Sequence, residues 1–268
     1  MEFITTDRCG EAGYPLLAGT PELVLCDCHT HSRFSDGRAS AEEMVEGAIA
    51  RGMKRLGLSD HSYTAWDESY CMKETDYARY QAEVRALKEK YLGQIELFCG
   101  IEQDYDSELK TEGFDYVIGS VHYLWADGEW FPTDNSGSYL VRAAERFYGG
   151  DIYALCEAYY EKIGGVAERT GCDIVGHFDV ITKHNAGGCL FDEQNERYVA
   201  AWQRAVDRIL QAGAIIEVNA KGRIYPKAGP YPSPDIVRYI MAHGGRMLID
   251  SDAHEPKWIG EGFETIAE

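Results

Sequence analysis

Short apolar runs alternate along the chain with longer amphipathic stretches. LVLCDCH (Leu23–His29) reads as a strand. The segment after it predicts a helix, with Ser40 as N-cap, Glu43 in the capping-box position and Gly52 beyond the last turn. RLGLSDH is the next strand, and the charged stretch from about Glu74 to Tyr91 reads as an exposed helix. IELFCGIEQDY and YVIGSVH are strands, Ile152–Arg169 is helical, and CDIVGHFDV is a strand. Glu193–Gln211 predicts a helix ended by Gly213, followed by the strand AIIEVNA. A last helix around Pro234–His243, stopped by Gly244, leads to RMLIDSDAH.

These strands are apolar on both faces, the pattern of a parallel sheet covered by helices. Seven of them in strand–helix alternation predict an α/β chain closed, or nearly closed, into a barrel rather than an open doubly wound sheet. The chain has neither Gly-x-Gly-x-x-Gly nor a phosphate-loop motif, so nucleotide-fold readings lose their main support. Residues 1–22 have little periodicity and read as an N-terminal extension, with 23–268 as a single barrel domain. Tyr123 to Gly150 is too long for a routine connection and is expected to be a lid or substrate loop.

Charge narrows the choice of partners. The 268 residues include 26 Lys and Arg against 45 Asp and Glu, a net charge of −19. Such a surface repels nucleic acid and anionic membranes, so neither is expected as a partner. The first residues do not pattern as a secretory leader, and no run approaches the roughly 18 apolar residues of a membrane span. The scattered cysteines form no Cys-x-x-Cys pair, and reduced thiols in the cytoplasm are expected. Cys26 and Cys28 flank Asp27; alternation turns both to the face opposite it, as buried thiols. An anionic substrate therefore needs local positive charge, from metal ions or a few placed Lys and Arg.

Each strand ends in a ligand-capable residue: His29 and His31, Asp60 and His61, Glu102, His122, His177, Asn219, then Asp252 and His254. Barrel topology would bring these ends to one face. His29 and His31, two apart on an extended strand, point to one side and can grip one ion. Asp252-Ala253-His254 repeats that spacing near the other end of the chain. Glu102 closes an apolar run, and a buried carboxylate is rare unless paired or metal-bound.

CDCHTHSRFSDG, LSDH, GIEQDY, GSVHY, GHFD and SDAH, in this order, resemble the motifs of the polymerase and histidinol phosphatase (PHP) superfamily. GPYPSP (Gly229–Pro234), after EVNAKG, resembles its histidinol-phosphate phosphatase branch. The resemblance spans roughly Leu23 to His254. It implies a distorted (β/α)7 barrel holding two or three divalent ions of zinc, manganese or iron. It places His29, His31, Glu102 and Asp252 on a first metal, and Glu102, His122 and His177 on a second. His61, His254 and Asp36 would hold a third, with Glu102, Asp252 and His254 as the catalytic set among these ligands. Many family members carry histidine near Asp36, and here Ser-Asp-Gly also suits an ordinary turn; both readings stand.

The implied activity is that of a metal-dependent phosphatase acting on a small phosphomonoester, L-histidinol phosphate, in histidine biosynthesis. Lys183 and Arg223 are candidate phosphate contacts, with a solvated surface charge as the alternative for each. Asn219 would orient substrate or satisfy backbone groups, and His184 is a proton donor or a surface residue. Asp104, Asp106 or Asp134 could receive the substrate's ammonium. The competing functions are hydrolysis of another phosphomonoester (a nucleotide, a sugar phosphate or phosphotyrosine) and a catalytically silent metal-binding scaffold.

Overall fold

Seven parallel strands form one sheet in the order β1-β2-β3-β4-β7-β8-β9 in a computed structural model that describes residues 24–108, 110–263 and 266. The expected N-terminal extension, Cys9 and the first residue of LVLCDCH lie outside these residues. The strands are β1 (Cys26–Asp27), β2 (Arg55–Leu58), β3 (Glu96–Asp104), β4 (Tyr116–Ser120), β7 (Ile174–Val175), β8 (Ile215–Asn219) and β9 (Met247–Asp250). A separate antiparallel pair joins β5 (Tyr123–Ala126) to β6 (Glu129–Pro132). The helices are α1 (Ala41–Arg51), α2 (Tyr77–Lys90), α3 (Gly137–Phe147), α4 (Ile152–Gly164), α5 (Val166–Thr170), α6 (Glu196–Ala212) and α7 (Pro234–Ala242).

The sheet closes on itself just past the strand ends. Thr30 bridges Ala253 in parallel, His31 N donates to Ala253 O at 2.9 Å, and Ala253 N donates to His29 O at 3.2 Å. The result is the distorted (β/α)7 barrel expected from the sequence. β1 and β7 are each only two residues long, shorter than the apolar runs that contain them. In the second case the ladder stops where the backbone swings to place His177, whose φ is +23°.

Capping chemistry fixes the helix ends largely as read. Ser40 and Glu43 make both bonds of the capping box on α1, and Gly52 and Gly213 end α1 and α6 in the left-handed conformation. The segment Tyr123–Gly150 differs from expectation: it is not an open loop but the β5–β6 hairpin followed by α3. Asp127 and Gly128, with φ of +49° and +85°, form the two-residue turn of the hairpin, and Ser136 caps α3 through Tyr139 N.

Beneath the strand ends the barrel is filled. Tyr116 lies fully buried across Gly100 and Gly57, and its hydroxyl donates to the carbonyl of Cys28. A Cβ on Gly100 would stand 2.2 Å from Cζ of Tyr116, so glycine is required for this close approach. Alternation along β3 puts Gly100 on the same face as Glu102, which makes Tyr116 the floor under the site. Cys26 and Cys28 are buried as expected, with their sulfurs 3.5 Å apart. Among the described residues no helix is long and apolar enough to cross a membrane.

Candidate metal centre

The C-terminal strand ends converge on one cavity of about 750 Å³. Asp36, His61, His122, His177, Asp252 and His254 line it, with Lys183, Lys221, Arg223, Tyr70, Tyr123 and Asp134 among the other wall residues. His29, His31 and Glu102 lie fully or almost fully buried at its base.

Glu102 is the hub. Its Oε2 lies 2.9 Å from His61 Nδ1, 3.1 Å from His29 Nε2 and 3.5 Å from His31 Nε2. Its Oε1 lies 2.9 Å from His177 Nε2 and 3.3 Å from His122 Nε2. Five imidazoles thus meet one buried carboxylate. Burial alone would raise the carboxyl of Glu102, but the imidazoles of His61, His29 and His122 outweigh it and hold the group well below the usual carboxylate range.

The remaining candidates extend the same cluster. His31 Nε2 is 3.3 Å from Asp252 Oδ1, and His254 Nε2 is 3.1 Å from Asp36 Oδ1. His61 Nε2 is 3.7 Å from the same oxygen of Asp36. Three groups of ligand-capable atoms, each within 4.8 Å of one another, emerge: His29, His31 and Asp252; His61, Glu102 and His122; His31, Asp36, His61 and His254. His61 and His31 each stand in two groups, a more shared arrangement than the partition implied by the family motifs.

The donor set fits divalent metal. His29 Nε2, both nitrogens of His31, His177 Nδ1 and Glu102 Oε2 are buried without a hydrogen-bond partner. Unsatisfied buried polar atoms are costly, and clusters of them call for an ion or water. The ligand-to-ligand separations quoted above are close to the roughly 3.4 Å edge of a tetrahedron of donors bonded at about 2.1 Å. Imidazole with carboxylate suits zinc, manganese and iron alike.

Local backbone chemistry aims these side chains. Asp60, although adjacent to His61, turns away from the cluster. It accepts from Ser32 N and Oγ, both at 2.9 Å, and from Ser35 N and Oγ at 3.0 and 2.6 Å. That anchors the Ser-Asp-Gly turn, and Asp36 is carried toward His254. Gly37 lets the turn fold tightly, since a Cβ there would meet His31 O at 2.3 Å. Despite burial, the imidazoles of His61, His254 and His31 hold Asp36 below its ordinary range. His177 and Asp252 have positive φ (+23° and +52°), a strained conformation for residues with a Cβ that costs about 1–3 kcal/mol and clusters at functional sites.

The expected substrate residues are placed unequally. Lys183 lines the cavity, with Nζ 2.8 Å from Asp134 Oδ2. Arg223 lines the mouth and donates to Gly262 O at 3.0 Å. Asn219 is fully buried and does not reach the cavity. Its amide donates to Glu217 Oε2 at 3.0 Å and Asp252 Oδ2 at 3.3 Å, and its oxygen accepts from Lys221 N at 3.0 Å. Of the three candidate acids, Asp104 faces His122 Nδ1 at 3.3 Å, Asp106 pairs with Lys162, and Asp134 lines the cavity. His184 Nε2 faces the carbonyl of Asp134 at 3.1 Å.

Two residues were missed in the sequence. Lys221 Nζ lies 2.9 Å from Asp252 Oδ1 and 3.0 Å from His254 Nδ1. Burial works against its charge, but Asp252 prevails and raises its pKa, so it stays a cation. Glu217, fully buried, meets His29 Nδ1 at 2.5 Å. An acid inside the apolar run AIIEVNA was the available signal, the one already used for Glu102.

The family model "PHP domain" matches residues 27–221. A protein of Deinococcus radiodurans named "Probable histidinol-phosphatase" is 30% identical over 250 residues, covering 89% of this chain and 90% of that protein. The histidinol-phosphatase of Bacillus subtilis is 23% identical over 270 residues, 90% of this chain and 98% of that one. The fold matches the crystal structure of histidinol phosphate phosphatase from Lactococcus lactis complexed with zinc, L-histidinol and phosphate. There the TM-score is 0.65 at 18% identity, covering 90% of this chain and 92% of that one. The chain belongs to the PHP domain family.

Proposed function

We propose that this PHP-family chain is a metal-dependent phosphomonoesterase that hydrolyses L-histidinol phosphate to L-histidinol and phosphate, as its full-length relatives are named to do. The observation that carries the reading is the buried Glu102 ringed by five imidazoles at the base of the cavity. His29, His31, Asp36, His61, Glu102, His122, His177, Asp252 and His254 would hold two or three ions of zinc, manganese or iron. Divalent ions there would neutralise phosphoryl oxygens and acidify water, the two requirements of a very slow uncatalysed hydrolysis.

The chain's own residues supply the rest. Lys221 and Lys183 bring positive charge into the cavity of a protein with net charge −19. Lys183, opposed by burial, holds Asp134 below its ordinary pKa, so Asp134 is an anion. A substrate carrying both a phosphate and an ammonium can replace the Lys183–Asp134 pair with two ion pairs, phosphate to Lys183 and ammonium to Asp134. Tyr70 and Tyr123, stacked on each other, add aromatic surface to the cavity wall, which suits a substrate with an imidazole.

Phosphate release from L-histidinol phosphate, an aryl phosphate and a nucleoside monophosphate, each with added zinc or manganese, tests the substrate. Preference for L-histidinol phosphate by tenfold or more is expected. Equal or better rates on either of the others would overturn the substrate assignment while keeping the phosphatase.

A further inference from the structure

Glu217 sits on the side of the site away from the cavity and touches two candidate ligands that come from different strands. Oε1 meets His29 Nδ1 at 2.5 Å, and Oε2 accepts from His177 N at 2.6 Å and from Asn219 Nδ2 at 3.0 Å. All are fully or almost fully buried. Strand alternation explains the placement, since Glu217 and Asn219 lie two apart on β8 and share the face turned to the barrel interior.

We infer that Glu217 is a positioning residue that sets His29 and His177 together for metal binding; this rests on the metal reading above. Facing Glu217, Nδ1 of His29 carries a hydrogen, so an ion bound beside Glu102 would take the lone pair of Nε2. That Nε2 is the buried atom without a hydrogen-bond partner, 3.1 Å from Glu102 and 3.9 Å from Asp252. Carboxylate, histidine and ion in series is a common way of fixing a ligand's tautomer and ring orientation. The other oxygen of Glu217 holds the backbone N–H of His177, the residue with φ of +23°. One side chain thus fixes the ring of one ligand and the strained backbone of another. Asn219 extends the hold to Asp252 through its second N–H.

The geometry makes glutamine a sharp substitution, because every partner of Glu217 is a donor. An amide turned toward His29 would force its Nδ1 to accept and put the hydrogen on Nε2, which then cannot ligate. Turned the other way, it would oppose the donors of His177 and Asn219. Zinc affinity measured by competition with a chromophoric chelator is expected to fall about 10- to 100-fold in Glu217→Gln relative to wild type. Wild-type affinity in a folded Glu217→Gln overturns the assignment of Glu217, whereas a wild type that binds no zinc overturns the metal reading and this inference with it. A merely structural role would lower the melting temperature in chelator and leave zinc affinity unmoved. If the variant does not fold, long-range proton–nitrogen spectra of ¹⁵N-histidine-labelled, zinc-loaded wild type decide the matter. His29, identified by loss of its signals in His29→Asn, is expected with hydrogen on Nδ1; hydrogen on Nε2 overturns the inference.

Discussion

Lys221 and Arg223 are two residues apart in EVNAKGR, yet their positions in the site differ sharply. Asn219 caps the short turn Ala220–Ile224, its oxygen taking Lys221 N, and this turns the lysine onto Asp252 while Arg223 reaches the Gly262 carbonyl. Lys221→Gln is therefore expected to lower kcat/KM for a phosphomonoester about 10- to 100-fold, the worth of a charge-assisted contact, and Arg223→Gln to lower it less. Steady-state kinetics on both variants check this, and a larger loss at Arg223 would reverse the assignment. At the residue scale, the sequence showed which residue types to look for but not where each would point. The histidines and Glu102 were legible because strand ends converge in any barrel. Lys221 was not, because side-chain direction in the turn after a strand follows from capping bonds that composition does not reveal. Glu217 was legible in principle, as a lone acid in an apolar strand.

Elements followed capping and turn chemistry more faithfully than apolar runs. Ser40, Glu43, Gly52 and Gly213 marked helix ends correctly, because each satisfies orphan backbone groups in a way few other residues can. β1 and β7 are shorter than LVLCDCH and CDIVGHFDV, since hydrophobicity continues where ladder pairing stops. The β5–β6 hairpin was hidden by its aromatic residues, which obscure alternation, although Asp127-Gly128 is a strong turn signal. Its position matters: Tyr123 and Asp134 reach the cavity from this folded unit rather than from a free lid. The packing of β2, β3 and β4 makes its own prediction. Gly100→Ala is expected to cost about 1–3 kcal/mol, because its methyl meets the Tyr116 ring in a filled interior. Thermal melting in the presence of chelator should show a drop of several degrees, and an unchanged melting temperature would show that Tyr116 can yield.

At the scale of the molecule, a chain with net charge −19 gathers most of its imidazoles, with Lys183 and Lys221, at one end of its barrel. Fold class was legible from seven apolar strands alternating with helices, and the barrel brings their ends, with the ligand-capable residues, to one face. The groups implied by the family motifs recur in part, His29, His31 and Asp252 in one and Asp36, His61 and His254 in another, while the facing of His31 and His61 to two groups each depends on ring orientation rather than spacing.

The proposed hydrolysis depends on ions held by the imidazoles around Glu102. Metal content and phosphate release from L-histidinol phosphate should be measured together on the wild type and Glu102→Gln, before and after chelation and on re-addition of zinc or manganese. The wild type is expected to bind two or three ions, lose its activity on chelation and regain it with metal. Glu102→Gln should remain folded, bind fewer ions and lose more than about a hundredfold in rate, beyond the range seen for outer-shell partners. Full activity in chelated wild type, or undiminished metal and activity in Glu102→Gln, would contradict this dependence.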